Sequence, residues 1–165
     1  SISEYPLYIW LLAFVFLIHD TNSNLVGAIR DMKGDEEGGY ITIPVKYGLK
    51  NSIFISLFLT FLWEGLLLFL PYYFSFLSLQ FYLVMLIEIS IIICLYYYLF
   101  QSLQSYSREK ALHFHEFFVI ERVILASALI FGIVDYILGG IICILALIIT
   151  SVSQRILRKR YEFRE

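Results

Sequence analysis

Apolar runs of membrane-spanning length recur along this chain between short polar stretches, and that recurrence limits the fold more than any other feature. A helix crosses the hydrocarbon core of a bilayer with about 20 mainly apolar residues. Stretches 7–29, 53–73, 76–100 and 114–134 supply that length, and 136–152 is a shorter fifth. In lipid every backbone polar group must be satisfied within its own segment, so such runs fold as helices. The predicted fold class is therefore all-α, a polytopic bundle of about five transmembrane helices in one domain over 1–165. Composition agrees, since 60% of the 165 residues are hydrophobic and 16% charged, against roughly 25% charged in ordinary soluble domains. No basic stripe is present that would serve a nucleic acid. Cys94 and Cys143 each lie inside an apolar run without a second Cys or His at metal or redox spacing, and read as buried packing residues. Pro71 and the stretch from Asp135 to Gly140 read as turns between helices.

Orientation follows from Lys and Arg, which accumulate in loops kept in the cytoplasm. Arg30, Lys33, Lys46 and Lys50 fall between the first two runs, Arg108 and Lys110 between the third and fourth, and Arg155, Arg158, Lys159, Arg160 and Arg164 in the tail. With five spans all three regions share one side, so the loop over 30–50 and the C-terminus are expected in the cytoplasm of a multi-pass integral membrane protein. The apolar start has neither a basic region before it nor a small-residue cleavage site after it, unlike a signal peptide. Beginning Ser-Ile-Ser just ahead of a span, the sequence is expected to be the later part of a longer protein.

Chemistry is concentrated in the cytoplasmic loop. From Asn24 to Gly48 it gathers four acids, three bases and five glycines. Asp31 and Asp35 are four apart, so if the first helix continues beyond the membrane surface their carboxylates share a face, about 6 Å apart. That spacing suits a metal held against a diphosphate, because Mg²⁺ typically takes one or two carboxylates plus substrate phosphates. Arg30, Lys33 and Lys46 are candidates for the remaining phosphate charge, Arg as a bidentate fork and Lys as a point charge. Gly34, Gly38 and Gly39 are expected to allow a tight turn. The competing reading is a solvated loop whose charges only keep it out of the lipid.

The run Arg30-Asp31-x-x-Gly34-Asp35-x-x-x-Gly39-x-x-Thr42-x-Pro44-x-x-x-Gly48 resembles the second aspartate-rich motif of the UbiA family of intramembrane prenyltransferases. The resemblance implies the later part of a bundle of nine helices around a cavity open to the cytoplasm and to the lipid. It also implies Mg²⁺-dependent transfer of a polyprenyl group from a prenyl diphosphate to an aromatic or other lipophilic acceptor, as in quinone or lipid biosynthesis. On this reading Asp31 and Asp35 are catalytic metal ligands, and Arg30, Lys33 and Lys46 bind the diphosphate. The family's earlier Asn/Asp motif is not found in this sequence, so the N-terminal half or a partner chain is expected to supply it, and this stretch is expected to be inactive alone. The alternative is a non-catalytic accessory membrane subunit or a degenerate protein that binds prenyl diphosphate without transferring it.

Polar residues inside the spans are costly toward lipid and should face other helices or a cavity. His19-Asp20-Thr21-Asn22-Ser23-Asn24 is such a run, and Asn24, two turns before Asp31 on roughly the same face, is a candidate substrate contact. Glu64, Glu88 and Arg122 also lie inside predicted spans, with Glu88 and Arg122 at similar depth and expected to pair. His113, His115 and Glu116 are expected to anchor a helix at the membrane boundary.

Overall fold

The computed structural model describes residues 7–73, 78–101 and 103–161. Six α-helices follow one another: α1 Leu7–Glu37, α2 Ile43–Tyr47, α3 Leu49–Tyr73, α4 Leu79–Gln101, α5 Arg108–Ile133 and α6 Tyr136–Tyr161, with a 3₁₀ turn at Leu103–Ser105 before α5. No strand occurs among the described residues. The turn expected after Pro71 falls at 74–77, outside them, as do the N-terminal residues 1–6 and the basic residue Arg164 of the tail.

Among the described residues four helices are long and apolar enough, by length and composition, to cross a membrane: α1, α3, α4 and α6. The predicted fourth span forms a helix, α5, but it does not qualify. Glu116, Glu121 and Arg122 interrupt its apolar run, and Glu121 is fully buried in line with Phe114, Phe118, Leu125 and Ala128. These five recur at alternating four- and three-residue steps, the period of a helix face turned inward, so the acid belongs to a packed stripe and not to a lipid-facing surface. The predicted fifth span is longer than its apolar run, because α6 continues to Tyr161.

The described chain forms two compact units, and the division falls within α4 and α5. The first unit holds α1, α2 and α3, the end of α4 from Tyr98 and the beginning of α5 to His115. There α1 packs along α3 and both touch α2. On α1 the buried residues Val15, Ile18, His19, Asn22, Leu25, Val26 and Ile29 follow helical spacing, and α3 answers with Ser52, Ile53, Ser56, Thr60, Trp63, Glu64 and Leu67. Asn22 donates from Nδ2 to Thr60 Oγ1 at 2.8 Å and accepts from Ser56 Oγ at 2.6 Å. The polar run of α1 thus contacts another helix through Asn22, as its cost in lipid required. Asn22→Leu is expected to destabilise the first unit by about 1–2 kcal/mol, since it removes two buried hydrogen bonds between α1 and α3. Thermal unfolding of the purified protein in detergent measures this, and an unchanged melting temperature would show that the network contributes nothing.

The second unit holds the rest of α4 and α5 together with α6. Ser78 ties the start of α4 to the end of α5, its N–H donating to Gly132 O and its hydroxyl to Phe131 O, each at 3.1 Å. The turn predicted over 135–140 is confined to its first residues. Asp135 Oδ1 accepts from the backbone of Ile137 at 2.9 Å and Leu138 at 3.3 Å, capping α6. Gly139 and Gly140 therefore lie inside the helix. A Cβ on Gly139 would stand 3.0 Å from the Phe131 ring, so the glycine permits a close approach of α6 to α5. Only 6% of the apolar window of α6 is buried, which leaves most of its Ile and Leu side chains exposed. The burial expected of the cysteines does not hold, since Cys94 on α4 is exposed and Cys143 on α6 is only half-buried.

Candidate functional site

The motif lies on the last turns of α1, which continues without a break through Gly34 to Glu37. Asp31 and Asp35 are therefore one turn apart on one helix face, as four-residue spacing dictates. Gly34 is helical, so it forms no part of the expected turn. The helix ends one turn later, where Tyr40 N–H donates to Asp35 O at 2.8 Å and Gly39 N–H to Glu36 O at 3.2 Å. With Gly39 at φ 74° this is a Schellman cap, and the left-handed residue it requires is the glycine. The cap closes on the carbonyl of Asp35 itself, so it fixes the turn that carries that carboxylate. Gly39→Ala is expected to cost about 1–2 kcal/mol, since a Cβ is strained at that φ. A melting temperature unaffected by the substitution would show that the cap relaxes without penalty.

Thr42 opens α2 in extended conformation at φ −88°, Pro44 sits in its first turn, and Gly48 closes it at φ 81°. Asn51 Nδ2 donates to Tyr47 O at 2.8 Å and Ser52 Oγ to Gly48 O at 2.9 Å, which joins α2 to α3. Nothing in the sequence reading anticipated α2, although a Thr two residues before Pro is a recognisable helix-start signal.

Arg30 and Asp31 form a fork: Nε lies 2.9 Å from Oδ1 and one terminal nitrogen 2.6 Å from Oδ2, so both carboxylate oxygens of Asp31 are engaged. The other terminal nitrogen of Arg30 lies 3.4 Å from Nδ1 of His115, on α5. Asp35 is half-buried, and its carboxylate makes no hydrogen bond or ion pair among the described residues. Lys33 pairs at 3.9 Å with Glu37, and Lys46 on α2 lies over the ring of Tyr47 at 5.1 Å. The structure thus brings Arg30 to Asp31 but gathers neither lysine to the carboxylates. Asn24 is exposed on α1, two turns before Asp31, while His19 is buried with its ring 5.0 Å from that of Trp63.

Of two further residues at this site, one is absent from the sequence reading and the other has a different role there. Tyr106 donates its hydroxyl to Ile29 O at 3.2 Å, one residue before Arg30. Burial first, and the neighbouring charge of Asp31 second, push its phenol well above the ordinary tyrosine range, so it stays a protonated donor. The loop before α5 positions it: Lys110 Nζ donates to Ser105 Oγ at 2.7 Å, and Ser107 Oγ accepts from Lys110 N–H at 3.3 Å as the helix cap. The second is His115, which faces Arg30 instead of only anchoring a membrane boundary. No spacing rule links position 30 to positions 106 and 115, because their proximity is a product of packing.

No group of three His, Cys, Asp or Glu side chains among the described residues converges tightly enough to hold a metal. What α1 offers is a pair of hard oxygen donors beside a guanidinium, a donor set that fits Mg²⁺ shared with phosphate oxygens. Against this geometry stand the comparisons with known proteins: a model of the UbiA prenyltransferase family matches residues 2–120. No curated protein and no solved structure matches the chain. The matched region includes α1 to α4 and the site, and α6 lies outside it.

Proposed function

The chain belongs to the UbiA prenyltransferase family, and from that premise we propose that it transfers a prenyl group from a Mg²⁺-bound prenyl diphosphate to an aromatic or other lipophilic acceptor, as quinone and lipid biosynthesis require. With four helices of spanning length and that membership, it is an integral membrane protein. The observation that carries the proposal is the unengaged, half-buried carboxylate of Asp35 one turn beyond the Arg30–Asp31 fork.

In this reading the allylic C–O bond breaks with its electron pair leaving on the diphosphate. The acceptor then bonds to the electron-poor carbon and gives up a proton. When bound, Mg²⁺ supplies positive charge to the departing diphosphate. Asp31 and Asp35 hold the metal, and Arg30 donates to phosphate oxygens as a planar fork. Lys33 and Lys46 are long enough to turn from Glu37 and Tyr47 toward the diphosphate, and Asn24 extends the polar face toward the membrane. The remaining metal ligands come from a second motif outside this sequence, on the same polypeptide or on a partner. Taking α5 as a fifth crossing despite its three inner charges, we assign the 30–50 loop and the C-terminus to the cytoplasmic side, supported by the Lys and Arg beside α1, α2, α5 and α6.

The test is product formation by the full-length protein in nanodiscs, offered a panel of allylic diphosphates and phenolic or naphthoic acceptors with Mg²⁺ or with EDTA. Prenylated product that disappears in EDTA is expected. Absence of product with every pair, or product undiminished by EDTA, would overturn the proposal.

A further inference from the structure

Arg30 stands between two groups that ask different things of it. Asp31 takes two of its N–H donors through both carboxylate oxygens, and its remaining terminal nitrogen lies 3.4 Å from His115 Nδ1. A guanidinium only donates, so Nδ1 accepts, and the neutral imidazole then carries its proton on Nε2. The Asp31 fork uses the same lone pairs that a cation at Asp31 requires. A ligand that claims this carboxylate therefore competes with Arg30 and frees a long, rotamer-rich side chain on a helix whose last turns are exposed. His115, half-buried on α5, is a contact of Arg30 that such a ligand does not compete for. Its backbone is set by the Ser107 cap of α5, and Tyr106 on the same segment bonds the Ile29 carbonyl, so both ends of the contact are held in register.

We propose that His115 is a positioning residue for Arg30: it keeps the guanidinium beside the motif when Asp31 turns to a metal-bound diphosphate, so that Arg30 donates to phosphate instead of swinging into water. This rests on the diphosphate reading above. It goes beyond it in assigning a role to an α5 residue that lies outside the aspartate motif.

The experiment is calorimetric titration of inorganic pyrophosphate, with Mg²⁺ present, into the full-length protein in detergent. His115→Phe keeps an aromatic ring of similar bulk without the acceptor, and His115→Ala removes the ring. Both are expected to weaken pyrophosphate binding about three- to ten-fold, the range of one ordinary hydrogen bond, as suits a contact at 3.4 Å. His115→Asn, which restores an acceptor near the Nδ1 position, is expected to bind within about two-fold of the wild type. In an Arg30→Ala background the His115 substitutions are expected to have no further effect, since coupling through Arg30 vanishes with it. Wild-type binding left unchanged by His115→Phe and His115→Ala would overturn this proposal alone, as would an equal loss in the Arg30→Ala background. A wild-type protein that binds no pyrophosphate would overturn the diphosphate reading and this proposal with it.

Discussion

Asp35→Asn in the full-length protein is expected to lower Mg²⁺-dependent prenyl transfer by about 100- to 1,000-fold while leaving the fold intact. The substitution is isosteric and removes the negative charge, and with it a hard anionic donor from a site that stabilises a departing diphosphate. Losing one such preorganised electrostatic element typically costs two to three orders of magnitude in rate, roughly 3–4 kcal/mol. Stability is insulated because the Asp35 carboxylate makes no hydrogen bond or ion pair among the described residues, and the Schellman cap uses its backbone carbonyl. The melting temperature should stay within about half a kcal/mol equivalent of the wild type. Asp31→Asn differs, since it also dissolves the fork with Arg30. That pair is part-exposed, with side chains at 24% and 48% accessibility, so its contribution to stability is no more than about 1 kcal/mol. Transfer by Asp35→Asn at more than a tenth of the wild-type rate would remove Asp35 from the mechanism.

The second large effect is on stability. Trp63 is fully buried on α3, edge-on to His19 of α1 at 5.0 Å between ring centroids. Trp63→Ala is expected to destabilise the first unit by about 3–5 kcal/mol, through lost contacts and the cavity left between helices. Its indole N–H has no hydrogen-bond partner among the described residues, so Trp63→Phe gives up ring volume but no bond. That variant is expected to lose less than about half as much. Chemical denaturation monitored by circular dichroism separates the two. Equal losses would mean that the indole nitrogen is bonded in the folded protein after all. Because Trp63 lies near Asn22, Ser56 and Thr60 in the same α1–α3 contact, Trp63→Ala and Asn22→Leu are expected to combine non-additively.

Much of the helical plan was legible because lipid leaves the backbone so few choices. Each uninterrupted apolar run became a helix, and α1, α3 and α4 start and stop within a few residues of the limits read from hydrophobicity, apart from the cytoplasmic extension of α1. The extension was visible as four-residue spacing of Asp31 and Asp35 but not as a boundary, since Gly34 reads equally as a turn residue. The buried stripe of Ser52, Ser56, Thr60 and Glu64 on α3 was readable too, at four-residue intervals in an apolar helix. It went unused because Ser and Thr in spans also bond their own backbone, as Thr60 does to Ser56 O at 3.0 Å. α5 differs in composition: its length and apolar content suggest a span, Glu116, Glu121 and Arg122 make its apolar stretch more polar than those of the other four long helices, and Glu121 lies on a buried face, as a polar residue in a span requires.

The sequence by itself determined the membrane-spanning helices, the motif and the family to which it belongs, because hydrophobic length and the spacing of Asp31, Asp35, Gly39, Thr42 and Pro44 are local properties of the chain. Tertiary structure alone decided what surrounds the carboxylates. His115 came to Arg30 and Tyr106 bonded to Ile29, whereas Asp31, Glu37 and Tyr47, which hold Arg30, Lys33 and Lys46, are near neighbours in sequence. A side chain's partner depends on which helix packs beside it and at what height. Residues 77 or 85 positions apart meet only when the segments carrying them are packed.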